Sequence, residues 1–335
     1  MKRTRIEPAD VAARDNLARA AHQAARGKRG RPEVRAFFDR FDERLEGLGA
    51  SIRAGSMPAG GYRAFVIHDP KRRVIHAASF EDRVFHHALM NLAGPVLDRA
   101  LTSATYACRP GMGHHAAVRR VQEHLQRYPW YVLIDIDAYF DSIDQALLLG
   151  LLERRFKGKG LLDTIARILQ SYQTRPGRGL PIGALTSQHF ANYYLDGLDR
   201  LLQERLTTRA YVRYMDDCIW WCDTRDEAMA TLSRVCAYLA DERRLLVKDH
   251  PRINRSSHGV TFCGYRILPG AIRLSPRKRQ RYRQRRRFWE DAYRLGIIDS
   301  LQLQRAYAAV HAITDHADSV SWRRENLRRH PAMEV

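Results

Sequence analysis

Three aspartates stand at the ends of apolar, strand-like segments of this sequence. Asp135 closes the run WYVLID, and the neighbours Asp216 and Asp217 divide the run AYVRYMDDCIWWC. Neighbouring carboxylates repel one another unless a cation neutralises them, and oxygen ligands favour Mg²⁺, with Mn²⁺ as a substitute, over zinc. If the strands pair antiparallel in one sheet, the three carboxylates converge and can hold two ions about 4 Å apart, as in enzymes that catalyse displacement at phosphorus. An ordinary turn is the alternative, although the common hairpin signals are Asp-Gly and Asn-Gly.

The charge balance of the chain indicates a substrate that carries phosphate. Of its 335 residues, 57 are lysine or arginine and 37 are aspartate or glutamate, which gives a formal net charge of +20. An excess this large predicts a polyanionic partner. The sequence has no apolar run of about 20 residues and no apolar signal-peptide core, so we expect a soluble, cytoplasmic protein without a membrane segment. Its five cysteines form no CxxC pair, which argues against structural zinc and a disulfide framework.

The apolar periodicity predicts the elements that must position these carboxylates. Strands are expected at 130–136 and on both sides of Asp216, with a further strand at 244–249 and hairpins at 61–80 and 259–275. Helices are expected at 9–27, 33–54, 81–101, 113–127, 144–155, 160–171, 184–206 and 226–243, and from residue 275 onward. The site depends on whether the two aspartate-bearing runs are neighbours.

The motif YMDD, with DIDAYFDSI ahead of it and LPIGALTSQHFANYYLDGLD between them, resembles the palm of reverse transcriptases in order and spacing. The resemblance covers residues 60–290 and implies an α+β, right-hand polymerase fold with an antiparallel palm sheet. It divides the chain into an N-terminal helical segment (1–57), fingers and palm (58–270) and a basic helical thumb (271–335). It also implies an RNA-directed DNA polymerase that uses deoxynucleoside triphosphates.

The same resemblance implies catalytic and metal-binding roles. The ligands of two magnesium ions would be Asp135, Asp216, Asp217 and the carbonyl of Ile136. Lys248, in LLVKD, corresponds to a lysine that donates a proton to the departing pyrophosphate; a solvated strand-end lysine is the alternative. The other acids near the first aspartate are expected to support the fold, and they are Asp137, Asp141 and Asp144.

Nucleotide and nucleic-acid contacts are implied elsewhere. Tyr139 or Phe140 would exclude a ribose 2′-hydroxyl, with Phe140 favoured and core packing as the alternative. The other residues expected at the nucleotide, where a solvated basic face is the alternative for each cation, are Lys71, Arg73, Arg83, Arg109, Ile182, Gly183 and Gln188. The basic run that begins the thumb is expected to follow the RNA/cDNA backbone, a nuclear-localisation-like run being the alternative, through Arg277, Lys278, Arg279, Arg281, Arg283, Arg285 and Arg286.

The segment IGALTSQ narrows the resemblance to the reverse transcriptases of diversity-generating retroelements, which are group II intron-like bacterial enzymes. Ile182 stands where most of the family has a glutamine, so hydrogen bonds that check the incoming base are lost. The resemblance implies misincorporation opposite adenines of a template-repeat RNA, mutagenic retrohoming of the cDNA, and a pentameric basic accessory protein as partner. A bacterial, phage or archaeal host is expected.

Other functions remain open at the level of sequence. A defence-associated or orphan bacterial reverse transcriptase would share a similar palm. An RNA-dependent RNA polymerase would prefer ribonucleotides. A non-catalytic, maturase-like RNA-binding scaffold is the alternative of a different class, and the presence of all three carboxylates argues against it.

Overall fold

The computed structural model describes residues 3–68, 72–206 and 208–333. Its helices are α1 (Pro8–Val11), α2 (Arg14–Ala25), α3 (Pro32–Asp39), α4 (Phe41–Arg53), α5 (Phe80–Ala100), α6 (His114–Arg127), α7 (Tyr139–Ser142), α8 (Gln145–Glu153), α9 (Lys159–Gln170), α10 (Leu185–Tyr194), α11 (Asp196–Arg200), α12 (Arg225–Arg243), α13 (Pro276–Arg294), α14 (Ser300–His311) and α15 (Val320–Arg329). Its strands are β1 (Thr4–Arg5), β2 (Arg63–His68), β3 (Arg72–Ala77), β4 (Trp130–Ile134), β5 (Phe156–Lys157), β6 (Ala210–Tyr214), β7 (Asp217–Cys222), β8 (Arg252–Arg255), β9 (Val260–Phe262), β10 (Tyr265–Leu268) and β11 (Ala271–Leu274). A π-helical turn (Leu201–Arg205) continues α11.

The palm sheet consists of four antiparallel strands in the order β6-β7-β4-β8. Its central strands are apolar on both faces, because the sheet lies between two hydrophobic cores. Along β4, Val132 and Ile134 enter the larger core while Tyr131 enters the smaller one. On β7 the neighbours Trp220 and Trp221 divide in the same way, since successive side chains of a strand point to opposite faces.

Each core covers one face of the palm sheet. The larger core packs α5, α8, α9, α10 and α12 against the sheet and extends to the N-terminal helices. The smaller core packs α6 and a three-stranded antiparallel sheet, in the order β11-β10-β9, against the other face. This mixture of helices and antiparallel sheets agrees with the α+β class.

The fingers hairpin, β2 and β3, is joined to the loop before α10. The hairpin strands pair antiparallel, and residues 69–71 lie outside the described part of the chain. The backbone N–H of His76 donates to the carbonyl of Ile182 at 2.9 Å. Gly183 has φ +114°, and a Cβ there would lie 2.9 Å from Ile75 Cγ2. A side chain at position 183 would therefore push the hairpin away from this loop.

The segment predicted to be the thumb contains the helices α13, α14 and α15. Ser275 caps α13 by accepting a hydrogen bond from the N–H of Lys278, and Pro276 occupies the first helical position. Two charged residues of α13, Arg286 and Glu290, are buried and form an ion pair at 2.9 Å. Of the helices in the described ranges, none combines the length and apolarity needed to cross a membrane.

The structure departs from several predicted elements. The helix expected at 184–206 is divided, because Leu195 leaves the helical conformation between α10 and α11 (φ −94°, ψ 4°). The segment 244–249 is not a strand, since Arg244 ends α12 in a left-handed conformation and only Val247 bridges to the palm, at Ile136. The fourth palm strand is instead β8, whose polar sequence RINR suits a sheet edge and carries no apolar signal.

Two other predicted elements have different bounds. The helix expected at 9–27 is interrupted at Ala13, which has an extended ψ of 132° between α1 and α2. The hairpin expected at 259–275 contains three strands rather than two, because Cys263 and Gly264, both with positive φ, form a turn between β9 and β10.

Candidate active site

The palm sheet brings the three aspartates to the ends of neighbouring strands. β4 and β7 pair with Ile134 opposite Cys218, so the same register continued by one residue sets Asp135 opposite Asp217. Asp216 lies in the two-residue turn between β6 and β7. The strands are thus neighbours, as the convergence of the three carboxylates requires.

A buried arginine anchors the turn that carries Asp216. Met215 has a left-handed φ of 57°, which two-residue hairpin turns require. Arg213 Nη1 donates to the Met215 carbonyl at 3.1 Å and to the Asn192 side chain at 2.9 Å. The same guanidinium donates to both carboxylate oxygens of Asp199 at 2.6 Å, and both side chains are fully buried. Burial alone would lower the pKa of Arg213, but Asp199 holds it above its ordinary value.

This anchor was not predicted from the sequence. Its signal was an arginine inside the otherwise apolar strand AYVRY, where burial demands a partner for the charge. The partner, Asp199, is supplied by α11, and Thr105 and Tyr211 each donate a further hydrogen bond to it at 2.9 Å.

Negative charge is in excess at the aspartate cluster. Burial, followed by the charges of Asp216 and Asp135, raises the pKa of Asp217 to about 7. Burial is also the main cause of the raised pKa of Asp216, and Asp135 adds to it. The positive charges of Lys248 and Arg73 oppose both shifts without cancelling them. A cation bound at this position would relieve the repulsion.

Lys248 reaches the same cluster. Its Nζ lies 2.5 Å from Asp135 Oδ2, and its backbone N–H donates to the Asp135 carbonyl at 2.9 Å. On the other side of Ile136, the N–H of Asp137 donates to the Leu246 carbonyl at 2.8 Å. The hydrogen bonds between these two segments are thus made by Asp135 and Asp137, which flank Ile136, so the Ile136 carbonyl takes no part in this pairing.

The donor set fits magnesium. Three carboxylates and one main-chain carbonyl are hard oxygen ligands, and their mutual repulsion is the electrostatic condition that favours a divalent cation. Within residues 3–68, 72–206 and 208–333, no three histidine, cysteine, aspartate or glutamate side chains already stand in a metal-ligand arrangement. In this structure the Asp135 carboxylate forms an ion pair with Lys248.

Of the cations predicted to bind phosphate, those that the structure describes do not lie together. Arg73 is exposed on β3, and its charge acts on Asp216 and Asp217, so the fingers hairpin faces the cluster. Lys71 lies outside the described residues. Arg109 forms an ion pair with Asp98 at 2.6 Å, donates to the main-chain carbonyls of Asp98, Thr102 and Thr105, and is only 12% exposed. Contacts within the fold thus occupy its guanidinium, and nucleotide binding by Arg109 stays a prediction.

Arg83, Gly183 and Gln188 line one cavity of about 380 Å³ together with basic residues of the segment after α2. Arg83 is half-buried, and its Nη2 donates to the Ala24 carbonyl at 2.6 Å. Burial first, then the charge of Arg83, lowers the pKa of Lys28, which is at the same cavity. Arg83 is thus grouped with other cations beside the fingers hairpin.

The structure distinguishes the two candidate sugar-selecting aromatics. Tyr139 is buried in the larger core, and its hydroxyl donates to the Ala191 carbonyl at 2.5 Å. Phe140 is only partly buried, and its carbonyl accepts a hydrogen bond from Leu180 in the loop that leads to Ile182. The side chain of Phe140 also packs against the larger core, so its role in sugar selection stays a prediction.

The seven predicted cations of α13 fall on two faces. Arg277, Arg281 and Arg285 line a cavity of about 690 Å³ that also includes His68 at the end of β2, so these arginines face the fingers hairpin. These three arginines recur every four residues, so they lie on one side of the helix.

The other face of α13 packs inward. Arg283 donates to Asn326, and Arg279 and Arg283 lie over the Trp322 ring at 5.8 Å. Lys278 Nζ lies 3.6 Å from the centre of the Tyr265 ring. Arg286 is 4% exposed and paired with Glu290, because the helix turns this side chain toward the interior, and a nucleic-acid contact of Arg286 stays a prediction.

Three further residues, which were not predicted from the sequence, lie on the side of α13 that faces this cavity. Gln280, Gln284 and Phe288 line the same cavity as the three arginines, and Phe288 is 58% exposed. Their spacing of four residues was a detectable signal, since it gives one helix face two amides and an aromatic ring beside a cationic stripe.

Comparison with known proteins agrees with this geometry. Residues 68–267, more than half of the chain, match the family model described as reverse transcriptase (RNA-dependent DNA polymerase). Protein YkfC of Escherichia coli (strain K12) is 22% identical over 260 residues, which cover 64% of this chain and 66% of that protein. Group II intron-encoded protein LtrA of Lactococcus lactis subsp. cremoris is 24% identical over 170 residues, which cover 48% of this chain and 28% of that protein.

These likenesses are partial. The chain spans less than two thirds of the length of the curated relatives it matches. A solved structure of apo telomerase from Candida tropicalis aligns with a TM-score of 0.48 and 10% identity over 64% of this chain and 48% of that one, which is too weak to support an argument.

Proposed function

The chain belongs to the reverse transcriptase (RNA-dependent DNA polymerase) family, and from this premise we propose that it extends a DNA strand on an RNA template by two-metal-ion nucleotidyl transfer. Membership of the family agrees with the α+β, right-hand polymerase fold. The observation that carries the proposal is the β4–β7 register, which sets Asp135 opposite Asp217 beside the exposed Arg73 of the fingers hairpin.

The residues of the site have separate tasks in this reaction. Asp135, Asp216, Asp217 and the carbonyl of Ile136 would hold the two magnesium ions. When bound, the ions would neutralise charge on the attacking and leaving oxygens. Arg73 would pair with phosphate oxygens of the incoming nucleotide. Phe140, next to the loop that carries Ile182, would contact the sugar and exclude a 2′-hydroxyl.

The cleft between the fingers hairpin and α13 is suited to a template–primer duplex. Arg277, Arg281 and Arg285 offer guanidinium groups to backbone phosphates. Gln280 and Gln284 can hydrogen-bond to base edges or sugars, and the exposed ring of Phe288 offers a stacking surface.

Primer extension tests the proposal. The chain should extend a DNA primer on an RNA template with deoxynucleotides and Mg²⁺. Preferential use of ribonucleotides would favour an RNA-dependent RNA polymerase. RNA binding without extension under any metal condition would favour a non-catalytic scaffold.

Lys248→Ala should lower the rate of single-nucleotide addition by about 10²-fold, because a positioned proton donor contributes at least that much. The measurement is rapid-quench incorporation of one nucleotide. Lys248→Arg is the matched control for charge: arginine can still pair with Asp135 but does not release its proton near neutral pH. Recovery of the rate in Lys248→Arg would contradict proton donation and leave Lys248 as a counter-ion.

Within the family, we propose that the chain diversifies sequence in the manner of a diversity-generating retroelement. The supports are the segment IGALTSQ and the likeness to a group II intron-encoded protein. Its substrate would then be a template-repeat RNA, and its partner a pentameric basic accessory protein. An adjacent pair of near-identical genomic repeats that differ mainly at adenines would favour this role over a defence-associated or orphan enzyme.

Ile182→Gln should lower misincorporation opposite template adenines, because a glutamine amide beside the nucleotide can hydrogen-bond to the base pair and the isoleucine cannot. A tenfold change in the error ratio corresponds to about 1.4 kcal/mol, which one hydrogen bond can supply. The measurement is deep sequencing of cDNA made on an adenine-rich template. Ile182→Met, which conserves apolarity and approximate volume, should keep the wild-type spectrum, and an unchanged adenine error rate in Ile182→Gln would refute this role of Ile182.

A further inference from the structure

A second basic cavity lies among the helices that cover the larger core. It has a volume of about 610 Å³, and we call it the arginine pocket. Five arginines line it: Arg154, Arg155, Arg200, Arg205 and Arg243. They come from the end of α8, from α11 with its π-helical turn, and from the end of α12.

The arginine pocket is separate from the candidate active site. Its lining residues come from helices on the larger-core side of the palm sheet, whereas α6 and the β9–β11 sheet cover the other side. Of the residues that the structure describes, those assigned above to metal, nucleotide or duplex binding are absent from its lining. A ligand bound here would therefore leave the polymerase cleft open.

Positive charge dominates the pocket. Its lining includes five guanidinium groups and two carboxylates, Asp196 and Glu242. Arg200 lies 3.1 Å and Arg155 3.6 Å from Asp196. Arg154 and Arg205 are exposed at the rim.

Arg243 is held in place without using a carboxylate. Its guanidinium donates to the main-chain carbonyls of Tyr194 and Glu242 at 3.0 and 2.7 Å, and it lies over the Tyr238 ring at 5.0 Å. A Cβ at Gly197 would lie 2.1 Å from Arg243 Nη2, so only glycine lets the guanidinium come this close to the backbone. The charge of this buried arginine is thus preorganised at the pocket.

One further feature of the pocket indicates a ligand. The π-helical turn Leu201–Arg205 ends on a lining arginine, and such turns are rare and frequent at functional sites. Asp196 also lines the pocket, but Arg155 and Arg200 already pair with its Oδ2, and its Oδ1 is enclosed by protein.

We propose that the arginine pocket binds the phosphate backbone of folded RNA outside the template–primer cleft. Guanidinium groups pair with phosphate oxygens in a bidentate manner, so the exposed Arg154 and Arg205 at the rim would contact backbone phosphates. Arg155, Arg200 and Arg243 are engaged by the fold and add positive charge behind them. The inference rests on the proposed function only in taking RNA as the polyanion.

The test is binding of a fluorescent RNA hairpin to the full chain whose cleft is saturated with an unlabelled RNA–DNA template–primer. The wild type should still bind the hairpin. Arg154→Ala/Arg205→Ala should weaken this binding about tenfold and reduce the slope of log affinity against log salt by about 2, because two phosphate contacts are lost. Both residues are exposed, so the variant should fold. Arg225→Ala/Arg234→Ala, which removes two exposed arginines of α12 outside the pocket, is the control of equal charge and should bind as the wild type does.

Primer extension on a short template–primer, measured in parallel, separates this inference from the proposed function. The pocket variant should extend the primer at the wild-type rate. Displacement of the hairpin by the template–primer, an equal loss in the control, or an unchanged affinity in the pocket variant would overturn the proposal, and the last result would favour an acidic protein as the occupant. Absence of extension by the wild type would contradict the proposed function whatever the binding result.

Discussion

Replacing Asp216 and Asp217 together by asparagine should lower the rate of primer extension by at least about 10³-fold. Loss of both carboxylates removes the charge that would hold two cations, and the ions supply several kcal/mol of transition-state stabilisation. About 4 kcal/mol corresponds to a factor of about 10³ in rate. The measurement is single-turnover nucleotide addition at saturating template–primer. Asp226→Asn/Asp241→Asn, which neutralises two exposed carboxylates of α12, should extend the primer as the wild type does.

The single variant Asp217→Asn should be more stable than the wild type when metal is absent. In the folded chain, burial and like charge raise the pKa of Asp217 to about 7, so above that pH its ionisation opposes folding. The expected result at pH 8 with a chelator is a higher melting temperature for Asp217→Asn than for the wild type. Added Mg²⁺ should stabilise the wild type and not the double variant. A lower melting temperature for Asp217→Asn would contradict this account and indicate a structural role in the turn.

Arg213→Met should destabilise the fold by about 3–5 kcal/mol. The substitution leaves the buried carboxylate of Asp199 without its counter-charge, and breaking a buried ion pair on one side has a cost of this size. Denaturant unfolding followed by circular dichroism measures the difference. Arg209→Met is the control at the far end of the same hairpin: Arg209 and Asp223 form an exposed pair, 54% and 41% accessible, so this variant should unfold at nearly the same denaturant concentration as the wild type.

A paired replacement separates stability from positioning. Asp199→Leu/Arg213→Met removes both buried charges, so it should recover a large part of the stability lost in Arg213→Met. It should not recover primer extension, because the hydrogen bond from Arg213 to the Met215 carbonyl, which anchors the turn before Asp216, is still missing. Full activity in the paired variant would show that Arg213 serves stability alone.

The palm could be predicted from sequence because its signals are local. The apolar run WYVLI and the hairpin around YMDD are strands in the structure as predicted, since the sheet is buried on both faces and its strands read as continuous apolar runs. β8 was not predicted because RINR is polar, and this segment becomes a strand only by pairing with β4 at the sheet edge. The break between α10 and α11 at Leu195 was not predicted either, because the apolar pattern of the sequence continues across it.

The roles of the arginines could not be predicted in the same way. Arg73 and Arg109 both occur in basic, loop-flanking contexts, yet one is exposed toward the aspartates and the other is bound to Asp98. On α13, Arg285 and Arg286 are neighbours in sequence, and the helical rotation of about 100° between them sends one to the cleft and the other to Glu290. The sequence shows that a charged residue is present, but the residues that contact it in the fold determine whether it is available to a ligand.

The amino-acid sequence by itself determined the chemistry that this chain can attempt: three acidic residues at strand ends, a large positive charge, and the motifs that give the α+β polymerase class. Only the tertiary structure decided that Asp135 stands opposite Asp217, that Arg213, paired with Asp199, anchors the turn before Asp216, and which cations are engaged by the fold. The physical reason is that strand runs and charge are properties of neighbouring residues. A carboxylate cluster, a buried ion pair and a basic pocket are instead made by residues far apart in the chain, whose energies depend on burial and distance.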